Sequence, residues 1–240
     1  MPMKLHLLGV NGPFPESGGA TSGYLLEFGN DLFQLDFGCG ILSSLTSIAA
    51  PEAISALLIT HWHFDHISDL PVLMYRLEAC GCTLPVYGPA DPASCIYRLV
   101  SSSRSFSFTE VQPNHPFHIG QTEILPFAAR HPVPAVGYRV TSGDTVFCYT
   151  GDTNTLSSLA EDCRNCDLLL ADGLFTRALW TESKPHLSAE LAARLALDSE
   201  TERLIITHLN PFISRQSLLD EARSVFLSSM LAAPGLVIEL

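Results

Sequence analysis

The sequence predicts an α/β protein made of two mixed β-sheets with helices outside them. Two observations carry this expectation. The first half is mostly short, apolar, strand-like runs, whereas the second half alternates such runs with amphipathic helical segments. No Gly/Ser-rich or Pro-rich linker divides the 240 residues, so one domain covering 1–240 is expected.

Taken in order, strands are expected at 4–9, 23–28, 32–37 and 54–60, with Gly29-Asn30-Asp31 turning the second into the third. "DLPVLMYRLEAC" has helical spacing, with Asp69 placed to cap it and Pro71 in its first turn. "LPVYGP" precedes a short helix at about 90–102, which is followed by strands at 106–111, 122–128, 135–141 and 145–149. The arrangement then recurs more loosely: "DLLLAD" (167–172), a helix from Ser188, "RLIITH" (203–208), a helix from Ser214 and a closing "GLVIEL". Leu187, Leu191 and Leu195 should line one side of the first of these helices. Leu218, Ala222, Val225 and Phe226 should line the second, and Ser188 and Ser214 are the expected N-caps.

Hydrophobic residues make up 47% and charged residues 16%, a balance that supports a sizeable core and argues against disorder. The 25 acidic residues against 13 Lys and Arg give a formal charge of −12, which should repel a long nucleic acid. The N-terminal apolar stretch is too short for a signal peptide, and serines and Pro234-Gly235 interrupt the C-terminal one, so a soluble cytoplasmic protein is expected. Seven cysteines are then expected to be reduced. The Cys163-x-x-Cys166 pair has no second pair to complete a structural zinc site, so it reads as ordinary packing.

The chemistry is concentrated in "THWHFDH". His61, His63, Asp65 and His66 fall within six residues at the end of an expected strand, in the spacing H-x-H-x-D-H. Imidazole nitrogen and carboxylate oxygen are donors that borderline divalent ions accept, so this loop reads as part of a metal site. One loop cannot close two coordination shells. His131 after "EILPFAAR", Asp152 after "TVFCYTG" and His208 after "RLIIT" hold comparable positions at strand ends and are the candidates to complete them.

These runs, together with Asp36 in "QLDFGCG" and His186 in "PHLSAELAARLA", occur in the order found in the metallo-β-lactamase superfamily, and the chain resembles its ribonuclease Z-like branch over nearly its whole length. The resemblance implies a four-layer αββα sandwich and two divalent metal ions, zinc foremost, with manganese or iron as alternatives. His61, His63 and His131 would bind one ion, Asp65, His66 and His208 the other, and Asp152 would bridge them. It further implies hydrolysis by a metal-bridging hydroxide, with Asp65 handling the proton and His186 stabilising the transition state or protonating the leaving oxygen. Asp36 would orient a ligand histidine through its other ring nitrogen, and Asp172, where the branch often has Glu, is a candidate for a similar supporting role.

The departures narrow the substrate. tRNA-processing members carry a long basic arm between the third metal histidine and the bridging aspartate, but only twenty residues separate His131 from Asp152, and they read as two strands. Redox di-iron members place Glu where this chain has His63. A small phosphodiester such as a cyclic nucleotide or cyclic sugar phosphate is therefore the expected substrate. A thioester or lactone hydrolase and a non-catalytic metal-binding protein are the alternatives, and a homodimer is left open. Trp62, Phe64 and Phe212 could wall the pocket or simply pack.

Overall fold

The structure is a computed structural model and describes residues 2–240. Its strands and helices run β1 (Lys4–Gly9), β2 (Gly23–Phe28), β3 (Asp31–Leu35), α1 (Ile41–Thr46), β4 (Ala56–Leu58), α2 (Phe64–Ile67), α3 (Leu70–Cys80), β5 (Leu84–Gly88), α4 (Cys95–Ser102) and β6 (Phe106–Glu110). They continue with β7 (Phe117–Ile119), β8 (Thr122–Ala128), β9 (Val136–Ser142), β10 (Thr145–Tyr149), α5 (Leu159–Asp162), β11 (Leu168–Asp172), α6 (Ala189–Asp198), β12 (Arg203–Thr207), α7 (Arg215–Val225), β13 (Ser229–Leu231) and β14 (Val237–Glu239). The chain forms two compact units. The first runs to Val111 and takes back Ala233–Glu239, and the second is Gln112–Ala232 with Leu240.

The first unit holds a seven-stranded mixed sheet in the order β14-β1-β2-β3-β4-β5-β6. Its antiparallel half is made by hairpins: Gly29, at φ 62°, lets a two-residue turn set Phe28 opposite Asp31. From β3 to β6 the pairing is parallel, and the crossovers carry α1, α3 and α4. Leu25, Leu57, Ile59, Leu73, Leu77 and Val86 pack with one another in the buried cluster that these helices cover. Asp69 departs from its expected capping role. It has helical dihedrals and makes no side-chain cap, and its Oδ2 instead accepts the Leu42 backbone N–H at 2.9 Å, tying α1 to the start of α3.

The second unit holds the other mixed sheet, in the order β13-β12-β11-β10-β9-β8-β7. β10, β11, β12 and β13 are parallel, and α5, α6 and α7 lie on the connections between them. Every residue of β11 is buried, and its apolar run Leu168–Ala171 suits a strand with parallel neighbours on both sides, while Asp172 closes it as a buried carboxylate. Ser188 and Ser214 cap α6 and α7 as expected, accepting the N–H groups of Leu191 and Ser217. The expected leucine side of α6 faces the core: Leu195 and, just before the helix, Leu187 are buried and Leu191 is half-buried against the same cluster, and Ala189, Ala192, Ala193 and Ala196 join them fully buried. Small side chains let α6 lie close to the sheet, and Gly173, whose added Cβ would meet Ile206 at 2.2 Å, marks the same tightness. Cys148, Cys163 and Cys166 are buried thiols in this core. Burial pushes the Cys148 thiol well up, which suits a packing role.

Candidate metal centre

In the first unit the donors lie beyond the C-terminal ends of the adjacent parallel strands β3 and β4. Asp36 follows β3 directly, at φ 53°, a left-handed conformation that Asp tolerates better than most residues. Its fully buried carboxylate accepts the Thr60 N–H at 2.8 Å, the Thr60 hydroxyl at 2.9 Å and the His66 Nδ1–H at 2.7 Å. Since Thr60 spends its only hydroxyl proton on that acceptor, the 3.1 Å contact between Thr60 Oγ1 and His61 Nδ1 has the ring as donor. The lone pair of His61 is thereby set on Nε2, and that of His66 on Nε2 likewise.

His63 precedes α2, while Asp65 and His66 lie within it. His63 Nδ1 stands 3.1 Å from His61 Nε2, and His66 Nε2 stands 3.7 Å from the Asp65 carboxylate. The backbone of α2 is pressed against the turn after β3. Phe37 N–H donates to the His66 carbonyl at 2.6 Å, and a Cβ on Gly38 would lie 2.2 Å from the Asp65 carbonyl oxygen. Only glycine permits that approach.

The second unit repeats the device. β8, β10, β11 and β12 all run in one direction, so His131, Asp152, Asp172 and His208 follow the same edge of the sheet. Thr207-His208 ends β12 as Thr60-His61 follows β4, and Asp172 ends β11 as Asp36 follows β3. His208 adopts φ 57°, and its Nδ1 is 3.3 Å from the Asp152 carboxylate. His131 Nδ1 donates to the Pro185 carbonyl at 3.2 Å, which again leaves the lone pair on Nε2.

His186 is buried, and its Nδ1 donates to Asp172 Oδ2 at 2.8 Å. It stacks on His208 with 5.0 Å between ring centroids and lies edge-on to His131 at 5.5 Å. Asp172 also accepts the backbone N–H groups of Thr153 and Leu174. Burial raises the Asp172 pKa to about 6, against the lowering pull of His186. Asp152, Asp172 and His186 thus offer donor atoms within 4.8 Å of one another, but the Asp172 carboxylate already serves three hydrogen-bond donors.

Every residue expected from the sequence therefore falls in one of two clusters: Asp36, His61, His63, Asp65 and His66 in the first unit, and His131, Asp152, Asp172, His186 and His208 in the second. The donor chemistry fits divalent metal. Two ring nitrogens 3.1 Å apart suit neighbouring ligands of one ion, since at metal–nitrogen bonds of about 2.0–2.1 Å they subtend roughly 100°, near tetrahedral. The histidines whose Nδ1 groups are held by a carboxylate, hydroxyl or carbonyl match the way ligand imidazoles are oriented. Thr60, Asn154 and the Pro185 carbonyl were missed by sequence reading. The repeated Thr-His after β4 and β12 was a usable signal for Thr60, whereas nothing marked the other two.

Of the aromatics, Trp62 is a packing residue. It is buried edge-on to Tyr97 and Phe108 and donates its indole N–H to the Pro89 carbonyl at 2.7 Å. Phe64 and Phe212 are exposed.

Comparison with known proteins agrees with this chemistry. Residues 38–209 match the model of the beta-lactamase superfamily domain. The probable metallo-hydrolase YhfI of Bacillus subtilis is 29% identical over 230 residues, covering 93% of this chain and 94% of its own. The crystal structure of YhfI superposes with a TM-score of 0.95 at 30% identity, covering 100% of this chain and 99% of that one. A ribonuclease Z of Haloferax volcanii is 25% identical over 288 residues, covering 94% of this chain and 91% of its own. A diphosphatase of the PhnP family shares the fold at a TM-score of 0.78 and 16% identity, covering 100% of this chain and 98% of that one. With its two mixed sheets flanked by helices and its histidine- and aspartate-rich strand ends, the chain belongs to the beta-lactamase superfamily of metal-dependent hydrolases, among relatives that include ribonuclease Z.

Proposed function

We propose that the chain is a dinuclear metal phosphodiesterase acting in the cytoplasm on a small phosphodiester, such as a cyclic nucleotide or a cyclic sugar phosphate. In this reading the two units act as one domain. His61, His63 and His131 would hold one divalent ion, Asp65, His66 and His208 the other, and Asp152 would serve both. When bound, such ions, zinc foremost, would supply an activated water and Lewis-acid stabilisation of the ester under attack.

The protein's own groups supply the rest. Asp36 and Thr60 fix the tautomers of His66 and His61, so these ligands need no reorganisation on binding. Asp65 takes up the proton released as solvent attacks phosphorus. The observation that carries the reading is the His186–Asp172 pair: with Nδ1–H tied to a buried carboxylate, His186 presents Nε2 as the proton donor to the leaving oxygen, and Asp172 balances the imidazolium charge. Acyl transfer from a thioester has a leaving group that departs without a proton and would not need this pair.

The diphosphatase neighbour supports attack at phosphorus within this fold. Against tRNA stand the net charge of −12 and the β9–β10 hairpin, which with its Gly143-Asp144 turn occupies the chain between His131 and Asp152. The test is His186→Ala, assayed in metal-reconstituted protein on a diester and a thioester. We expect about a 10²- to 10⁴-fold fall in diesterase kcat, the usual worth of a positioned general acid. An unchanged diesterase rate alongside strong thioesterase activity would reverse the assignment. Full metal occupancy with no hydrolysis of either ester would identify a binding protein.

A further inference from the structure

The segment 176–186, which ends on His186, lies across the second unit as a strap held by side chains from elsewhere in that unit. From outside the strap, Arg130 Nη2 donates to the Glu182 carbonyl at 3.4 Å; within it, Trp180 donates its indole N–H to the His186 carbonyl at 3.0 Å. The tightest attachment is Asn154. Its side-chain NH2 donates to two carbonyls of the strap, Glu182 at 3.2 Å and Lys184 at 2.5 Å, and its Oδ1 accepts the Thr155 N–H at 2.6 Å. Its own backbone N–H donates to the Arg130 carbonyl at 3.0 Å. Asn154 is fully buried, so water cannot replace these bonds.

One residue thereby joins three pieces of chain: its side chain ties the turn after β10 that carries Asp152 to the strap that carries both His186 and the Pro185 carbonyl on which His131 Nδ1 rests, and its backbone N–H ties that turn to the one after β8 that carries His131. The site requires two donors and one acceptor in a fork, which the carboxamide of Asn supplies and the isosteric Asp does not, since a carboxylate would face two carbonyl oxygens.

We propose that Asn154 is a positioning residue for the reaction: it locks the strap so that His186 is held at the distance needed to protonate the leaving oxygen. This rests on the reading of His186 given above. Asn154 touches no substrate and acts only through the strap.

The test compares the wild type with Asn154→Asp and Asn154→Ala. Asn154→Ser, which can still accept the Thr155 N–H, serves as the milder change if either fails to fold. Hydrogen–deuterium exchange over 176–187 in metal-free protein reads the lock, and we expect it to rise about tenfold or more with little change in β10–β12. Metal-reconstituted protein is then assayed on two diesters, one with a poor alkoxide leaving group and one with p-nitrophenolate. A misplaced acid should lower kcat on the alkoxide ester about 10- to 100-fold, lower it far less on the nitrophenyl ester, and leave KM nearly unchanged. Unaltered exchange in the strap, or an equal loss on both esters, would overturn the proposal. If the wild type cleaves neither diester, the phosphodiesterase reading fails on its own, and the exchange measurement still decides whether Asn154 holds the strap.

Discussion

Asp36 shows how much one buried carboxylate organises. Three donors from two positions, Thr60 and His66, converge on it, and through Thr60 it also sets the proton on His61. Asp36→Ala should strand those donors in a dry site and cost about 3 kcal/mol, since each unsatisfied buried group costs on the order of 1–3 kcal/mol. In a chain of this length that is a fall of roughly 6–12 °C in Tm, readable by circular dichroism on metal-free protein. Asp36→Asn should be milder for stability but turn an NH2 toward His66 Nδ1, favouring the wrong tautomer. Metal affinity should drop about 10- to 100-fold in a competition titration, and an unchanged affinity would remove Asp36 from the metal's support. The sequence made Asp36 visible only through the resemblance of "QLDFGCG", in company with the other motifs, to the family. It could not reveal that Thr60 links it to His61, because a Thr ending an apolar run has the same pattern whether or not its hydroxyl is used.

The strand ends aim the donors, and the helices hold those ends in place. Ser188 caps α6 two residues after His186, so Ser188→Ala tests whether helix and strap are coupled. The cap itself should be worth about 1 kcal/mol, or roughly 2–4 °C in Tm by differential scanning calorimetry. Gly38→Ala should be harsher than its single methyl suggests. The new Cβ would overlap the Asp65 carbonyl and the Thr21 hydroxyl oxygen, pushing α2 off the turn after β3 and moving Asp65 and His66 together. Metal stoichiometry by plasma emission spectroscopy should fall in that variant, and retention of full stoichiometry would show that α2 has room to move. The long periodic elements were legible in advance, as were both Ser caps. The four-residue α2 and the three-residue β7 and β13 were not, since so few residues carry no period and their structure follows from neighbours in the sheet. The leucine side of α6 was legible from its spacing, whereas the buried alanines beside it were not, because how closely a helix approaches a sheet depends on what lies opposite.

For the molecule as a whole, bound metal should act as a stabilising ligand. At free metal a hundredfold above Kd, linkage adds about 2.7 kcal/mol, or roughly 5–11 °C in Tm relative to chelated protein. Coincident melts with and without chelator, in protein shown to contain metal, would place the ions outside the folded structure. The charge of −12 leads to a second expectation at this scale: unstructured RNA should give no anisotropy change at physiological salt and should not inhibit hydrolysis of a small diester. Among the described residues no helix is long and apolar enough to cross a membrane. By itself the sequence determined the α/β class, the strand-end positions of His61, His131, Asp152 and His208, and the donor types suited to divalent metal, because period, turn residues and ligand chemistry are written locally along the chain. Only the tertiary structure decided that β8, β10, β11 and β12 share a direction, that Thr60 and Pro185 set the tautomers, and that Asn154 ties the His186 strap down. The bonds of Thr60 to Asp36, His131 to Pro185 and Asn154 to Lys184 join residues more than twenty positions apart, and hydrogen bonds between such residues leave no spacing for a reader of the chain to find.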